Sequence, residues 1–279
     1  MTDDALDHAA ELIAQAGALV VAAGAGMGVD SGLPDFRGTE GFWRAYPALA
    51  RAKLNFTSVA SPTTFERDPR LAWGFYGHRL ALYRRTVPNG GFALLQRWGA
   101  RALHGVAVFT SNVDGQFQRA GFAADVIHEC HGSLHLLQCL RGCGEPPWPA
   151  DGLLPDIDDD ACQWRGELPA CPGCGGLARP NLLMFGDWGW QGERYDAQAQ
   201  RLAHWLARVE RPVVIEIGAG TDVPSVRHFS QQVVVHHGGQ LVRINPREPA
   251  VAASAGVGLA SGALAALQAL YARLTDLHA

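Results

Sequence analysis

Two periods alternate along the chain. Unbroken apolar runs at Ala18 to Ala23, Gly105 to Thr110, Pro212 to Ile217 and Leu241 to Asn245 predict short strands buried on both faces, the last of them closing the set. Apolar residues at helical spacing fill the intervals. Asp3 to Gly17 places Leu6, Ala9, Ala10, Ile13 and Ala14 on one face, and Ala93 to Trp98 reads as a second helix. Asp196 to Val209 gathers Leu202, Trp205, Leu206 and Val209, and Ser261 to Leu274 forms the last helix. From Gly41 to Arg85 the pattern is helical and rich in aromatics, punctuated by Pro47, Pro62 and Pro69. Strands alternating with helices predict an α/β fold on a doubly wound parallel sheet.

The strand exits carry the candidate chemistry. Gly24, Gly26 and Gly28 follow Ala23 at once. Glycines there let the backbone turn tightly and approach a pyrophosphate, and the N–H groups of a following helix would bind that anion. Ser31 stands where the full dinucleotide fingerprint has its third glycine, so on the glycines alone a simple turn between core elements serves as well. The tail Asp30-Ser31-Gly32-Leu33-Pro34-Asp35-Phe36-Arg37-Gly38 discriminates, because an acid, an aromatic and an arginine beside a rigid proline suit a lid over a ligand. The second strand runs into Ser111-Asn112-Val113-Asp114-Gly115, at the strand end where open α/β sheets bind ligands. Taken alone, Asn112 and Asp114 are turn formers. Tyr76 and Arg79 lie three apart on one helical face, either as part of an aromatic core helix or as a hydroxyl and fork suited to a carboxylate.

Composition narrows the setting. With 279 residues and 48% apolar content, the chain supports one sizeable core and a smaller module. A net charge of −4 supplies no basic field for nucleic acid. No apolar run is long enough for a bilayer and the first residues, MTDDALDHAAEL, are acidic, so neither a membrane span nor a secretory signal is expected and a cytoplasmic location is. The six cysteines, Cys130, Cys139, Cys143, Cys162, Cys171 and Cys174, share one short part of the chain. In a reducing compartment that clustering favours a metal over disulfides. Cys139-x3-Cys143 and Cys171-x2-Cys174 are two glycine-flanked pairs that suit tetrahedral Zn²⁺ held by four thiolates. The insertion between them is Pro-rich and acidic, with Asp156, Asp158, Asp159 and Asp160 as a solvated face and Cys162 as an ordinary thiol or an alternative ligand.

Together these stretches resemble the sirtuins, the NAD-dependent protein deacylases. Gly24-Ala25-Gly26 and Ser31-Gly32-Leu33-Pro34-Asp35-Phe36-Arg37-Gly38 are similar to the family's glycine exit and Ser-Gly-Ile-Pro-Asp-Phe-Arg-Gly, with Gly28 in place of a serine. Thr110-Ser111-Asn112-Val113-Asp114 resembles Thr-Gln-Asn-Ile-Asp, with Ser111 for the glutamine. Glu129-Cys130-His131-Gly132-Ser133 matches Glu-x-His-Gly-Ser, and Arg179 to Asp187 resembles Arg-Pro-x-Val-Val-x-Phe-Gly-Glu. Gly218-Ala219-Gly220 stands where the family has Gly-Thr-Ser, with Thr221 as a substitute hydroxyl, and Asn245 matches the family's Ile-Asn near the adenosine. The resemblance covers most of the chain.

The resemblance implies a Rossmann-like domain in three parts, 1–40, 89–132 and 181–279, with a small domain made of a helical module, 41–88, and a zinc-binding module, 133–180. It assigns the NAD site to Gly24, Ala25, Gly26, Asp35, Phe36, Arg37, Ser111, Asn112, Asp114, His131, Gly218, Ala219, Gly220 and Asn245. His131 is the implied base, since imidazole suits a ribose hydroxyl near neutral pH, while His128 and His135 read as structural. Asn112 and Asp114 would orient ribose and water. Leu182, Leu183, Phe185 and Gly186 would line the acyl-lysine channel and pair with the substrate backbone, with Trp188 and Trp190 narrowing or redirecting that groove. Tyr76 and Arg79 resemble the Tyr-x-x-Arg pair of the class that removes malonyl and succinyl groups. The implied reaction is attack of the acyl oxygen on the nicotinamide ribose, loss of nicotinamide, and release of free lysine and O-acyl-ADP-ribose, with the zinc purely structural. Acylated protein is the expected partner, with no nucleic acid or membrane, and the oligomeric state stays open. Two other readings stay open: ADP-ribosyl transfer or NAD hydrolysis, motivated by Gly28, Ser111 and Ala219-Gly220, and a non-enzymatic NAD-sensing scaffold.

Overall fold

The structure, a computed structural model, describes residues 1–35 and 38–276. Its centre is a six-stranded parallel sheet in the order β11-β10-β9-β1-β2-β3. The strands are β1 (Ala18–Ala23), β2 (Val106–Thr110), β3 (Ile127–Glu129), β9 (Pro212–Ile217), β10 (Gln240–Ile244) and β11 (Gly256–Leu259). Every residue of β1 is buried, which accounts for its unbroken apolar run. Leu19, Val21 and Ala23 face a core shared with α1 (Asp3–Ala14), α7 (Gly90–Gly99) and α11 (Ala263–Asp276). Val20 and Ala22 face the other side, against α9 (Glu193–Leu206) and α10 (Ser225–His237). Helices on both faces of a parallel sheet make the doubly wound architecture the alternation predicts.

The first half of the chain builds outward from β1 through β2 to β3, and the second from β9 through β10 to β11. The reversal falls between β1 and β9, whose register runs from Ala18 opposite Pro212 to Ala23 opposite Ile217. A crevice opens at the carboxyl ends of the strands at such a switch point. Three details differ from the sequence reading. Residues Gly256–Leu259 add a strand beyond Leu241 to Asn245, too short and glycine-rich to announce itself. Ile127–Glu129 forms the opposite edge strand beside β2. No α-helix follows β1 directly; two 3-10 turns, Ala25–Met27 and Val29–Ser31, come first, so the glycine exit does not deliver a phosphate-binding helix N-terminus.

A second core lies to one side. Between β1 and α7 come α2 (Gly38–Ala45), α3 (Pro47–Arg51), α4 (Phe56–Val59), α5 (Pro62–Arg67) and α6 (Pro69–Arg85). Pro47, Pro62 and Pro69 each sit in a first turn, where the missing N–H costs no hydrogen bond. After β2 and the short α8 (Gln116–Arg119), the chain leaves β3 for β4 (Gly132–Cys139), which pairs antiparallel with β5 (Trp148–Pro149) and β8 (Ala178–Leu182). A hairpin of β6 (Ile157–Asp158) and β7 (Gln163–Trp164) packs on α6. Phe42, Phe65, Trp73, Phe75 and Tyr76 from the helices meet Leu134, Leu137, Trp164 and Leu182 in one apolar cluster. A Cβ on Gly74 would lie 2.0 Å from the Cys162 carbonyl oxygen, so only glycine lets α6 seat against the hairpin.

Candidate active site

The glycine exits of β1 and β9 meet at the switch point. Gly26 N–H donates to the Gly218 carbonyl at 3.1 Å, Gly24 N–H to Ile217, and Gly218 N–H to Ile244. A Cβ on Gly26 would lie 2.5 Å from the Gly218 Cα, and one on Gly24 would lie 2.7 Å from the Gly218 oxygen. Gly218 itself has φ +60°, a conformation that glycine adopts freely. The exit of β2 is stitched to the same place. Thr110 Oγ1 donates to the Ala23 carbonyl and accepts from the Asn112 N–H, and Asn112 Nδ2 donates to the Gly24 carbonyl at 2.9 Å.

Above these exits is a cleft of about 490 Å³. Its floor is Gly24, Ala25, Ser111, Asn112, Gly218, Ala219 and Gly220, and its walls include Asp35, Arg79, Asp114, His131 and Phe185. Of the described residues assigned to the dinucleotide, Gly26 and Asn245 do not line it. Gly26 serves the backbone contact below the floor. Asn245 is fully buried, its Nδ2 donating to the Ala219 carbonyl and its Oδ1 accepting from the Arg247 and Glu248 N–H groups, and so it holds the floor from beneath. The Thr221 hydroxyl turns to the Glu248 carboxylate and does not replace a hydroxyl in the cleft. Phe36 and Arg37 lie outside the described residues.

His131 occupies the junction between the two sheets. Cys130 N–H still pairs with Thr110 of the parallel sheet, while Gly132 opens antiparallel β4 and Leu183 N–H donates to the His131 carbonyl. Burial pushes the imidazole below its usual range, and a hydrogen bond with the Ser111 backbone works the other way. Its Nε2 lies 3.3 Å from Ser225 Oγ. Asp114 is buried, and its Oδ1 accepts the Gln116 N–H at 2.9 Å. Burial raises its carboxyl to about 6, with the Gln116 bond opposing. His128 and His135 stay out of the cleft: His135 Nε2 bonds the Asp114 carbonyl, and His128 is packed against Phe109 and Tyr195.

On the wall built by α6 and the stretch after β8, Arg79 and Phe185 line the cleft and Tyr76 does not. Tyr76 is buried in the second core, its ring stacked on Phe65 at 5.6 Å. The residue paired with Arg79 is Tyr83, one turn on, whose hydroxyl oxygen accepts from Arg79 Nε at 2.9 Å and Nη2 at 2.7 Å. Tyr83 also lines the cleft, and burial, opposed by Arg79, keeps its phenol protonated. The spacing of three between Tyr76 and Arg79 and the spacing of four between Arg79 and Tyr83 are both compatible with one helical face. Asn55, the cap of α4, and Phe56 and Thr57 in its first turn complete the wall and carried no signal in the sequence. Leu182 is buried, while Leu183 and Phe185 are exposed at the outlet. The loop beyond is fixed by a buried Arg179–Asp187 pair and displays Trp188, which is 99% exposed and leaves the groove unobstructed by that ring.

Far from the cleft floor, Cys139, Cys143, Cys171 and Cys174 converge with all four Sγ atoms within 4.8 Å of one another. Sγ separations of 3.7 Å for Cys139–Cys174 and 3.6 Å for Cys143–Cys171 fit the roughly 3.8 Å edge of a tetrahedron with about 2.3 Å Zn–S bonds. The donor set therefore fits Zn²⁺ in a closed, structural site. Cys162 is outside it, buried beside α6.

The Sir2 family pattern matches residues 24–223. The chain belongs to the Sir2 family. It is 33% identical over 239 residues to NAD-dependent protein deacylase 1 of Pseudomonas aeruginosa, covering 85% of this chain and 86% of that one. It is 29% identical over 277 residues to an NAD-dependent protein deacylase of Thermococcus kodakarensis, covering 98% and 97%. The fold matches a crystal structure of a Sir2 homologue–NAD complex with a TM-score of 0.73 and 24% identity, over 99% of this chain and 95% of that one. Among the described residues no helix is long and apolar enough to cross a membrane.

The buried Asp114 makes a prediction about stability. Its carboxyl is near its ordinary value when unfolded and near 6 when folded, so the folded chain holds the extra proton between them. The resulting penalty is small at pH 4, grows as pH rises toward 6, and is full at pH 8. Asp114→Asn is therefore expected to raise the denaturation midpoint much more at pH 8 than at pH 4; an equal change at both would remove the assignment.

Proposed function

We propose that this cleft removes acyl groups from protein lysines at the expense of NAD, with His131 as the base. The supporting observation is convergence: His131, Asn112 and Asp114 face one cleft whose floor is two glycine exits at a sheet switch point. The cradle fits a dinucleotide, because side chains at Gly24 and Gly218 would clash with the opposing backbone that shapes the floor. Gly24, Ala25 and Gly218 to Gly220 would hold it. When bound, the dinucleotide supplies a ribose carbon with nicotinamide as leaving group and ribose hydroxyls that accept the acyl group.

The chain's own contributions follow from the geometry. Burial keeps the His131 ring neutral near pH 7, so it takes a proton from a ribose hydroxyl there. Asn112, tied to the Gly24 carbonyl, fixes the exit of β2 against the floor and orients the ribose. Asp114, ionised above about pH 6, orients the attacking water. The acylated segment of a partner protein enters past Leu183 and Phe185, where its backbone adds beside the Leu182 to Gly186 stretch. The thiolate cluster suits a reducing compartment, which favours a cytoplasmic setting.

For the acyl group, the reading is a preference for acid-ended chains such as succinyl or malonyl. Arg79 supplies the guanidinium and Tyr83, not Tyr76, the phenol beside it. Both Tyr83-directed N–H bonds end on its oxygen, so its proton is left to donate to another acceptor.

Two measurements test this. His131→Ala is expected to lower deacylation by about 10²–10⁴-fold with an unchanged circular dichroism spectrum. Near-full turnover in that variant, or free ADP-ribose formed without an acylated peptide, would turn the assignment toward NAD hydrolysis or ADP-ribosyl transfer. Competition between succinyl- and acetyl-lysine peptides reads the acyl end. Arg79→Met should lower the succinyl-to-acetyl ratio of kcat/KM by about 10–100-fold, the worth of a charge-assisted hydrogen bond pair. Equal rates on both peptides in the parent chain would remove the acid-ended reading.

A further inference from the structure

Ser225 opens α10, directly after the Pro224 cap, and its hydroxyl lies 3.3 Å from His131 Nε2. The two residues are 94 apart in sequence and come from opposite halves of the sheet. Val223 and Val226, on either side of Ser225, line the cleft. The first turn of α10 is rigidly held. Arg227 donates from Nε and Nη2 to the Ala219 carbonyl and from Nη2 to Glu248, so the helix start is pinned to the same floor that Asn245 supports.

We propose that Ser225 is a positioning residue for His131, holding the ring with Nε2 unprotonated and its lone pair filled by the serine hydroxyl until a ribose hydroxyl takes that place and gives up its proton. This rests on His131 being the base. A neutral imidazole has one donor and one acceptor nitrogen, and the partner of one fixes the role of the other. The Ser111 backbone engages the ring on the β2 side, and the Ser225 hydroxyl meets Nε2 on the α10 side. The Ser225 hydroxyl donates to neutral Nε2, a bond that favours the neutral ring because protonation of Nε2 ends it.

Charges do not supply this control. Asp35 from the loop after β1, Arg79 from α6, Asp114 from the β2 exit and Asp222 from the β9 exit line the same cleft, with the phenol of Tyr83. Arg227 extends from α10 beneath the floor. The ring's shift comes from burial and the Ser111 bond, not from these groups. A hydroxyl is thus the adjustable partner of Nε2.

The test needs a readout independent of turnover. The His131 ring is followed by nitrogen-labelled histidine NMR through a pH titration of the full chain without NAD, assigned by its loss in His131→Asn. Ser225→Ala is expected to raise the pH at which His131 protonates and to increase the population with the proton on Nε2. Ser225→Thr, which keeps the hydroxyl, is expected to restore both. In parallel kinetics, Ser225→Ala should lower kcat about 5- to 10-fold, the worth of one hydrogen bond, and move the acidic limb of the pH profile upward, with KM for NAD changed little. An unaltered His131 titration in folded Ser225→Ala would overturn the proposal, as would failure of Ser225→Thr to restore it. If His131→Ala stayed active, the catalytic reading would fall while the NMR result still decided whether Ser225 sets the ring.

Discussion

The structure depends on one backbone contact, the approach of the β1 and β9 exits at Gly26 and Gly218. Here the two halves of the sheet, built outward in opposite directions, come together without side chains between them. A single Cβ at either position would push backbone against backbone, and close-packed interiors do not absorb such a displacement without cost. The contact also brings the carboxyl ends of β1, β2 and β9 to one level. The cleft floor is then held by hydrogen bonds that cross between strands, from Asn112 to Gly24 and from Asn245 to Ala219.

The second constraint is the place of His131 between two sheets of different kind. The parallel sheet ends at Glu129, the antiparallel sheet begins at Gly132, and the imidazole stands at the step. Its neighbours therefore come from several elements: Ser111 from the exit of β2, Leu183 from just beyond the end of β8, and Ser225 from α10. In the proposed reaction, a base placed there would reach a ribose held on one side and an acyl group presented from the other. The four-cysteine cluster contributes at a distance, by closing β4 on the segment that leads into β8, whose far end ties Leu183 to His131.

Much of this was legible from residue order because it depends on backbone. The buried strands carry continuous apolar runs, the exits carry glycines, and the thiolates come in close pairs, so each physical demand leaves a local pattern. What was not legible depends on which way side chains turn. Tyr76 and Tyr83 both flank Arg79 at helical spacing, and only the packing of Phe65 against Tyr76 sends one to the core and leaves the other in the cleft. Asn245 reads as a ligand contact in sequence, yet its side chain is consumed by three backbone bonds. β11 is four residues with two glycines, and its pairing with β10 is a tertiary fact with no period of its own. Ser225 follows a proline in an ordinary loop sequence; its nearness to His131 exists only once the sheet halves join.

The most direct test of the account is a structure of the chain with NAD bound. The account predicts the dinucleotide along Gly24, Ala25 and Gly218, with a hydroxyl of the nicotinamide-side ribose within hydrogen-bond reach of His131 Nε2. Binding in another groove, or in this cleft with that ribose turned away from the imidazole, would contradict it.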